Sequence, residues 1–441
     1  MKYFGTDGIR GRVSELLTQE FVERMGHAIA TYKQGIKSCV IGCDTRESSS
    51  WIVETLSGVL SGYDIKNYFI GVVPTAAVAY MAKHLEVDVG IMITASHNPY
   101  EWNGIKLFGV NGEKLDKGEL EKVEIALDKK SSYLSSSPND GFSLLTLTTE
   151  SWWSFLVSNF STLISRKNID KPFVFLDCAN GSGGETAKKV LRLLGFRYRT
   201  INNNPNGRNI NEKCGATNIS SLVKMVKAYA VKNPSGEVVG FAFDGDADRC
   251  VAVTKEGEVA GERLLVALAK HIGVEQLAST ILFNKGAEDY LKDKGINLVK
   301  TKVGDKYVLQ AVKEQNMVLG GEPNGHIVLP RINVNGDGLI TLLMTLRMVV
   351  ESGKSLYELT KDIPIYPSIN LNLKATATQK AAIDGELFTS FIQELKSQNP
   401  EYKIIVRPSG TEDLVRITAE GQNEDKCKEI ANIIGYQFNH Q

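Results

Sequence analysis

An apolar run, a short loop of small polar residues and then a segment of helical period recur along this chain. That recurrence limits the fold more than any other feature. It is read at residues 39–43, which lead into Asp44-Thr45-Arg46 and a helix. It returns at 173–176, with the loop 177–183 and a helix over 185–194, and again at 280–283, with Asn284-Lys285-Gly286 and a helix over 287–291. Strands that alternate with helices imply a mostly parallel sheet, because a parallel pair needs a long crossover. The 441 residues are too many for one hydrophobic core. The expected fold class is α/β: three related α/β domains with mixed or parallel sheets, plus a smaller α+β C-terminal domain.

Further elements follow in order. Residues 18–32 read as an amphipathic helix with Phe21, Val22, Met25, Ile29 and Ala30 on one face. Residues 68–73 read as a strand, and Pro74-Thr75 opens the next helix. The polar, serine-rich stretch 129–141 reads as a loop near the end of the first domain. An aromatic-rich helix over 152–160 starts the second. Pro364-Ile365-Tyr366-Pro367 reads as a stiff linker at which the last domain would hinge. Beyond it come a helix with Ile383, Leu387, Phe391, Ile392 and Leu395 on one side, strands at 403–406 and 414–419, and a helix from Asp425. The expected boundaries are 1–150, 151–255, 256–366 and 367–441.

Two loops carry the most specific chemistry. An apolar run over 87–93 leads into Thr94-Ala95-Ser96-His97-Asn98-Pro99, with Asn103-Gly104-Ile105-Lys106 just behind. Ligands of open α/β sheets bind at the carboxyl ends of strands, where this loop would lie. A serine oxygen there can carry a transferable phosphoryl group, with His97 and Lys106 close in sequence. The apolar run 238–243 leads into Asp244-Gly245-Asp246-Ala247-Asp248-Arg249. In an extended loop the three alternating carboxylates fall on one side. Two like charges about 4 Å apart repel by about 4 kcal/mol at an effective dielectric near 20, so three converging carboxylates call for a cation. All-oxygen ligands suit Mg²⁺, Ca²⁺ or Mn²⁺.

Three weaker motifs accompany them. In Gly5-Thr6-Asp7-Gly8-Ile9-Arg10-Gly11 the glycines let the backbone approach a ligand, and Arg10 offers a fork of donors. Gly320-Gly321-Glu322-Pro323-Asn324-Gly325-His326 holds a carboxylate, an amide and an imidazole, a set able to bind neighbouring sugar hydroxyls. Arg407-Pro408-Ser409-Gly410-Thr411-Glu412 combines an arginine, two hydroxyls and a glycine into a phosphate cradle, with Arg416 on the following strand. Taken singly, each is also what an ordinary turn looks like.

Composition narrows the function. Lys+Arg and Asp+Glu both number 51, which argues against a nucleic acid or an anionic membrane as a general partner. The six cysteines are scattered, and Cys39 and Cys43 have no second pair at zinc-ligand spacing. The start has no apolar signal core and no apolar stretch is long enough to cross a bilayer, so a cytoplasmic enzyme is expected.

These five stretches, in this order, resemble the α-D-phosphohexomutase family over essentially the whole chain. Residues 5–11, the stretch Asn209-Ile210-Asn211-Glu212-Lys213-Cys214-Gly215-Ala216-Thr217, and Val303-Gly304-Asp305-Lys306-Tyr307-Val308 resemble its hexosamine-specific branch. The resemblance implies four domains around a central cleft. It implies Ser96 as a phosphoserine, with one Mg²⁺ per chain held by its phosphate and by Asp244, Asp246 and Asp248. Arg10, Lys106 and Arg249 would line the reacting phosphate, Lys106 moving a proton from its neutral form and His97 orienting the loop. Glu322, Asn324 and His326 would meet the sugar. Arg407, Ser409, Gly410, Thr411 and Arg416 would hold the non-reacting phosphate. The implied activity is interconversion of glucosamine 6-phosphate and glucosamine 1-phosphate, with glucosamine 1,6-bisphosphate or its equivalent as activator and intermediate. The implied partner is the phosphosugar alone, without nucleic acid or membrane; assembly stays open, a homodimer included. The chain departs from the family at Asn324, where serine is usual, and from that branch at Ala247, where glycine is more frequent. A mutase of glucose or mannose phosphates, a metal-dependent sugar-phosphate phosphatase and a non-catalytic phosphosugar-binding protein remain as alternatives.

Overall fold

The computed structural model describes residues 1–129, 144–165, 171–409 and 413–440. Nearly all of the stretch read as a serine-rich loop lies outside the described residues. Where apolar residues run together, buried strands form. β1 (Ile9–Arg12), β2 (Ser38–Cys43), β3 (Lys66–Val72), β4 (Val89–Ile93), β5 (Trp102–Phe108) and β6 (Leu144–Thr146) make one sheet in the order β1-β5-β4-β2-β3-β6. β2, β3, β4 and β6 run parallel, and β5 runs against both β4 and β1. β7 (Phe173–Asp177), β8 (Tyr198–Ile201), β9 (Val238–Phe243), β10 (Cys250–Thr254) and β11 (Gly257–Val259) make a second sheet, ordered β11-β10-β9-β7-β8. β12 (Gln276–Thr280), β13 (Asn297–Thr301), β14 (Gly320–Gly321), β15 (Ile327–Leu329) and β16 (Asn333–Gly336) make a third, ordered β13-β12-β14-β15-β16.

One pattern repeats in all three sheets. A strand parallel to its neighbour ends in a polar loop, and the chain returns antiparallel beside it: β4 into β5, β9 into β10, and β14 into β15. The Ser96 loop, the three-aspartate loop and the Glu322 loop therefore occupy the same topological position. Each lies at the carboxyl end of a strand, where backbone donors and helix starts face a ligand.

The last sheet is three-stranded and antiparallel, with β17 (Ser368–Lys374), β18 (Lys403–Pro408) and β19 (Leu414–Glu420) in the order β17-β19-β18. It packs on the helices Glu386–Gln398 and Glu424–Asn439 through Phe388, Ile392, Ile417, Ile430 and Ile434. The chain divides into two compact units, Met1–Ile281 with Val299–Thr360, and Leu282–Leu298 with Lys361–Gln441. The second unit thus takes in the helix Lys285–Asp293 as well as the last sheet. Among the described residues no helix is long and apolar enough to cross a membrane.

Several local expectations change. The strand expected at 280–283 lies earlier, at β12, where Leu277, Ala278, Ser279 and Thr280 are all buried. Its polar residues masked it: the Ser279 hydroxyl is satisfied inside by donating to Gly321 O at 2.6 Å. Residues 102–108, read only as a motif behind the serine loop, are the strand β5. Leu387 does not join the apolar face of its helix; it is 88% exposed, and Phe388, Ile392 and Leu395 at helical spacing are buried instead. The proline-bounded segment at 364–367 is anchored within the second unit. Tyr366 N donates to Asn284 Oδ1 at 2.9 Å, and Asn284 Nδ2 donates to Tyr366 O at 3.0 Å.

Candidate active site

β4 is buried along its whole length, and the chain leaves it at Thr94. Thr94 N donates to Gly104 O at 3.0 Å, and its hydroxyl donates to Asp44 Oδ2 at 2.7 Å. Gly104 has to be glycine, because a Cβ there would meet Thr94 O and, at 2.5 Å, Ile9 O. Ser96 then adopts φ +51°, a left-handed conformation that costs a non-glycine residue about 1–2 kcal/mol. The loop is held in that shape by Arg46. Its buried guanidinium donates to Ser96 O, Asn98 O and Trp102 O, each at 2.9 Å, to Pro99 O, and to Asp44 Oδ2 at 2.8 Å. Asn211 Nδ2 adds bonds to Ser96 O at 2.9 Å and Asn98 O at 3.2 Å. Strain of this kind persists only where surrounding bonds over-determine the backbone.

The Ser96 hydroxyl donates to Asp244 Oδ2 at 2.6 Å and lies 3.3 Å from His97 Nδ1. Burial, with Arg249 and Arg10 nearby, lowers the His97 pKa to about 4, which makes the ring neutral at pH 7. Asp244, Asp246 and Asp248 are all buried, and one carboxylate oxygen from each lies within 4.8 Å of the others. Burial, then Asp248 and Asp246, push the Asp244 carboxyl up to about 8. Asp246 Oδ1 and Asp248 Oδ1 are buried and accept no hydrogen bond. Buried oxygens that accept no hydrogen bond and mutual repulsion are what a hard divalent cation relieves, so these residues fit one. Ala247 takes φ +53°, a left-handed conformation that glycine adopts without steric cost. Its methyl fits because Gly183 lies opposite, where a Cβ would come within 2.7 Å of it.

Lys106 on β5 joins the metal loop to the stretch that carries Asp7. Its ammonium is 2.8 Å from Asp246 Oδ2, 3.0 Å from Asp248 Oδ2 and 2.8 Å from Asp7 Oδ2. Burial alone would lower its pKa, but Asp246, Asp248 and Asp7 hold it well above the usual lysine range. The neutral form expected of Lys106 is tied to a nearby cation; the groups that surround it here are carboxylates, which favour its charged form. Arg10 on β1 pairs with Asp7 Oδ2 at 2.5 Å and donates to Asn98 Oδ1 at 3.3 Å. Arg249 N donates to Asp244 Oδ1 at 3.2 Å. Lys114 bridges Asp7 and Asp305, tying the first sheet's loops to the helix Asp305–Glu314. Between the 5–8 loop and that helix lies a cavity of about 460 Å³, with Lys106, Lys114 and Tyr307 in its wall.

The Glu322 loop closes on itself. Glu322 N donates to His326 O at 2.8 Å, His326 N donates to Asn324 Oδ1 at 3.1 Å, and Gly304 N donates to Glu322 Oε1 at 3.3 Å. Asn324 thus uses its carbonyl to brace the loop, while its amide lies 3.5 Å from Glu322 Oε2. His326 sits 3.8 Å from Asp248 Oδ1 and 3.7 Å from Asp305 Oδ2. Burial opposes its charge, but Asp248 and Asp305 outweigh that and raise its pKa to about 9. Asn324 and Arg249 line a common cavity of about 180 Å³.

In the second compact unit, Arg407 on β18 faces Arg416 directly across the ladder on β19. Burial and then Arg416 lower the Arg407 pKa. Like charges directly opposed are unfavourable in a sheet unless an anion joins them. Ser409 is buried and its N–H closes the hairpin onto Leu414 O at 2.8 Å. Gly410 and Thr411 lie outside the described residues.

Ser96, His97, Asp244 and Arg249 bond one another, Lys106 bonds Asp246 and Asp248 and reaches Arg10 through Asp7, and the three carboxylates bring the two groups together; the Glu322 loop approaches them through His326. Sequence reading missed Arg46, Asp44, Asp7, Lys114, Asn211 and Thr75. Asp44 and Arg46 did carry a signal, since they stand directly after an apolar strand, as Ser96 and Asp244 do. Lys114, Asn211 and Thr75 act across long sequence separations, as Asp7 does on Lys106.

Comparison with known proteins places the chain in a family. Family models match throughout: phosphoglucomutase/phosphomannomutase alpha/beta/alpha domain I at residues 1–134, domain II at 150–257, domain III at 260–366, and the C-terminal domain at 370–434. The chain belongs to the phosphoglucomutase/phosphomannomutase family. Phosphoglucosamine mutase of Deinococcus deserti is 35% identical over 444 residues, 98% of this chain and 97% of its own. Among solved structures, the open form of the phosphoglucomutase pp63/parafusin from Paramecium superposes with a TM-score of 0.79 at 18% identity, covering 99% of this chain and 95% of that one. Aspergillus fumigatus N-acetylphosphoglucosamine mutase, in complex with GlcNAc-6P and magnesium, has a TM-score of 0.62 at 18% identity, covering 91% and 82%.

Proposed function

We propose that this chain acts as a phosphoglucosamine mutase, a cytoplasmic isomerase that interconverts glucosamine 6-phosphate and glucosamine 1-phosphate for UDP-N-acetylglucosamine and cell-wall precursor synthesis. The reading rests above all on Ser96 Oγ, held 2.6 Å from Asp244 Oδ2 in a buried triad of carboxylates, where Asp246 Oδ1 and Asp248 Oδ1 accept no hydrogen bond. Its choice of amino sugar rests on the full-length likeness to phosphoglucosamine mutases.

Ser96 in its phosphorylated form is the donor. The P–Oγ bond breaks as a P–O bond to the sugar hydroxyl forms, and the proton of that hydroxyl ends on Ser96 Oγ. This gives a glucosamine bisphosphate. After the sugar turns over, the reverse transfer returns the other phosphoryl group to Ser96. Phosphoryl transfer asks mainly for positioning and charge neutralisation. Arg10, Lys106 and Arg249 supply positive charge around the moving group. Asp244, Asp246, Asp248 and the Ser96 phosphate would hold one Mg²⁺, which when bound neutralises charge on the phosphoryl oxygens. Glu322, Asn324 and His326 address the sugar hydroxyls. Arg407, Ser409, Gly410, Thr411 and Arg416 hold the phosphate that is not reacting.

Lys106 is the proposed proton relay. Positive charge placed beside Asp246 and Asp248 would offset the carboxylates that now keep it charged. Lys106→Ala should lower kcat about 10²–10⁴-fold, the range of a general acid or base, with KM little changed. An effect confined to KM would remove the role.

Initial rates on glucosamine, glucose and mannose 6-phosphates test the substrate assignment. The glucosamine substrate should have the highest kcat/KM. A preference for glucose or mannose phosphate would overturn it, and release of free phosphate at the turnover rate would point to a phosphatase.

A further inference from the structure

Thr75 begins the helix Thr75–His84 in the first α/β layer, yet its bonds go to the metal loop of the second. Its hydroxyl donates to Asp246 Oδ2 at 2.6 Å, and its N–H donates to the Asp246 carbonyl at 3.0 Å. Both residues are buried. Pro74 before it has φ −58° and ψ 149°, an extended entry that aims the first turn of the helix at the loop. Lys106 donates to the same oxygen, Asp246 Oδ2, at 2.8 Å. Two donors therefore converge on one oxygen of this carboxylate, and the other, Oδ1, accepts none.

We propose that Thr75 is a positioning residue for the cation site: it fixes the carboxylate plane of Asp246 so that Oδ1, rather than Oδ2, faces the ion. The inference rests on the reading of the three aspartates as a divalent-cation site. Its physical basis is that a carboxylate with two equivalent oxygens has no preferred face until donors distinguish them. Lys106 alone does not single out Asp246 Oδ2, because its ammonium is also 3.0 Å from Asp248 Oδ2 and 2.8 Å from Asp7 Oδ2. The threonine hydroxyl has one acceptor and a fixed backbone, so it sets the orientation. Outer-shell partners of this kind alter metal affinity by about 10–100-fold when removed.

The experiment measures Mn²⁺ binding by electron paramagnetic resonance on the full chain, as wild type, Thr75→Val and Thr75→Ser. Valine keeps the shape and removes the donor; serine keeps the donor. Thr75→Val should raise the Mn²⁺ Kd by about 10–100-fold, while Thr75→Ser stays within about threefold of wild type. A Thr75→Val protein that binds Mn²⁺ as wild type does overturns the proposal. Should Thr75→Val fail to fold, Thr75→Ala is compared with Thr75→Ser, which differ only by the hydroxyl. A Kd ratio above about fivefold supports the role, and a smaller one overturns it. Wild-type protein that binds no Mn²⁺ would instead overturn the underlying reading of the triad, an outcome distinct from equal binding by wild type and variant.

Discussion

Replacing Ser96 with alanine should abolish mutase turnover, with a loss of roughly 10⁴-fold or more, the scale seen when a covalent nucleophile is removed. The fold should survive. Alanine occupies the left-handed conformation at φ +51° about as readily as serine, and the loop's shape comes from Arg46 and Asn211 bonding to backbone oxygens. The side-chain bonds lost are those to Asp244 Oδ2 and His97 Nδ1, a stability change of about 1–2 kcal/mol. Intact-mass spectrometry should find one phosphoryl group on active wild-type protein and none on the variant, while phosphosugar binding persists. A variant that turns over near the wild-type rate would end the phosphoserine scheme.

The second large effect is expected at Asp246. Asp246→Asn keeps the volume but gives the group two unlike ends. Thr75 and Lys106 both donate toward the position of Oδ2, so the amide oxygen settles there. The amide nitrogen is then turned toward the cation, as a donor where an acceptor is needed. The rate should fall about 10²–10³-fold, comparable to the loss of one preorganised charge-stabilising group. Chelation of wild-type protein should reach the same floor, and the variant should not respond further to chelator. If Asp246→Asn is activated by Mg²⁺ with the wild-type half-saturation, the triad is not the metal site.

The main elements were legible because their signals are local. Apolar runs at β4 and β9 end in polar loops within one or two residues, and the amphipathic period of residues 18–32 returns as the helix Gln19–Thr31 with Thr18 as its cap. Local reading failed where burial overrode residue type. The polar strand β12 is inside, and Leu387 is outside. It failed again where one sequence neighbourhood cannot report another. Arg46 reaches Ser96 across 50 residues, Asn211 across 115, and Thr75 reaches Asp246 across 171.

The order of residues alone therefore determined the α/β rhythm, the serine and aspartate loops, and the family, since each depends on types and spacings within a few residues. Only the tertiary structure decided which oxygens of the triad accept no hydrogen bond, what holds Ser96 in its left-handed turn, and which carboxylates surround Lys106. Those outcomes depend on angles and on electric fields between groups far apart in the chain. Fields fall off with distance in space and take no account of distance along the sequence.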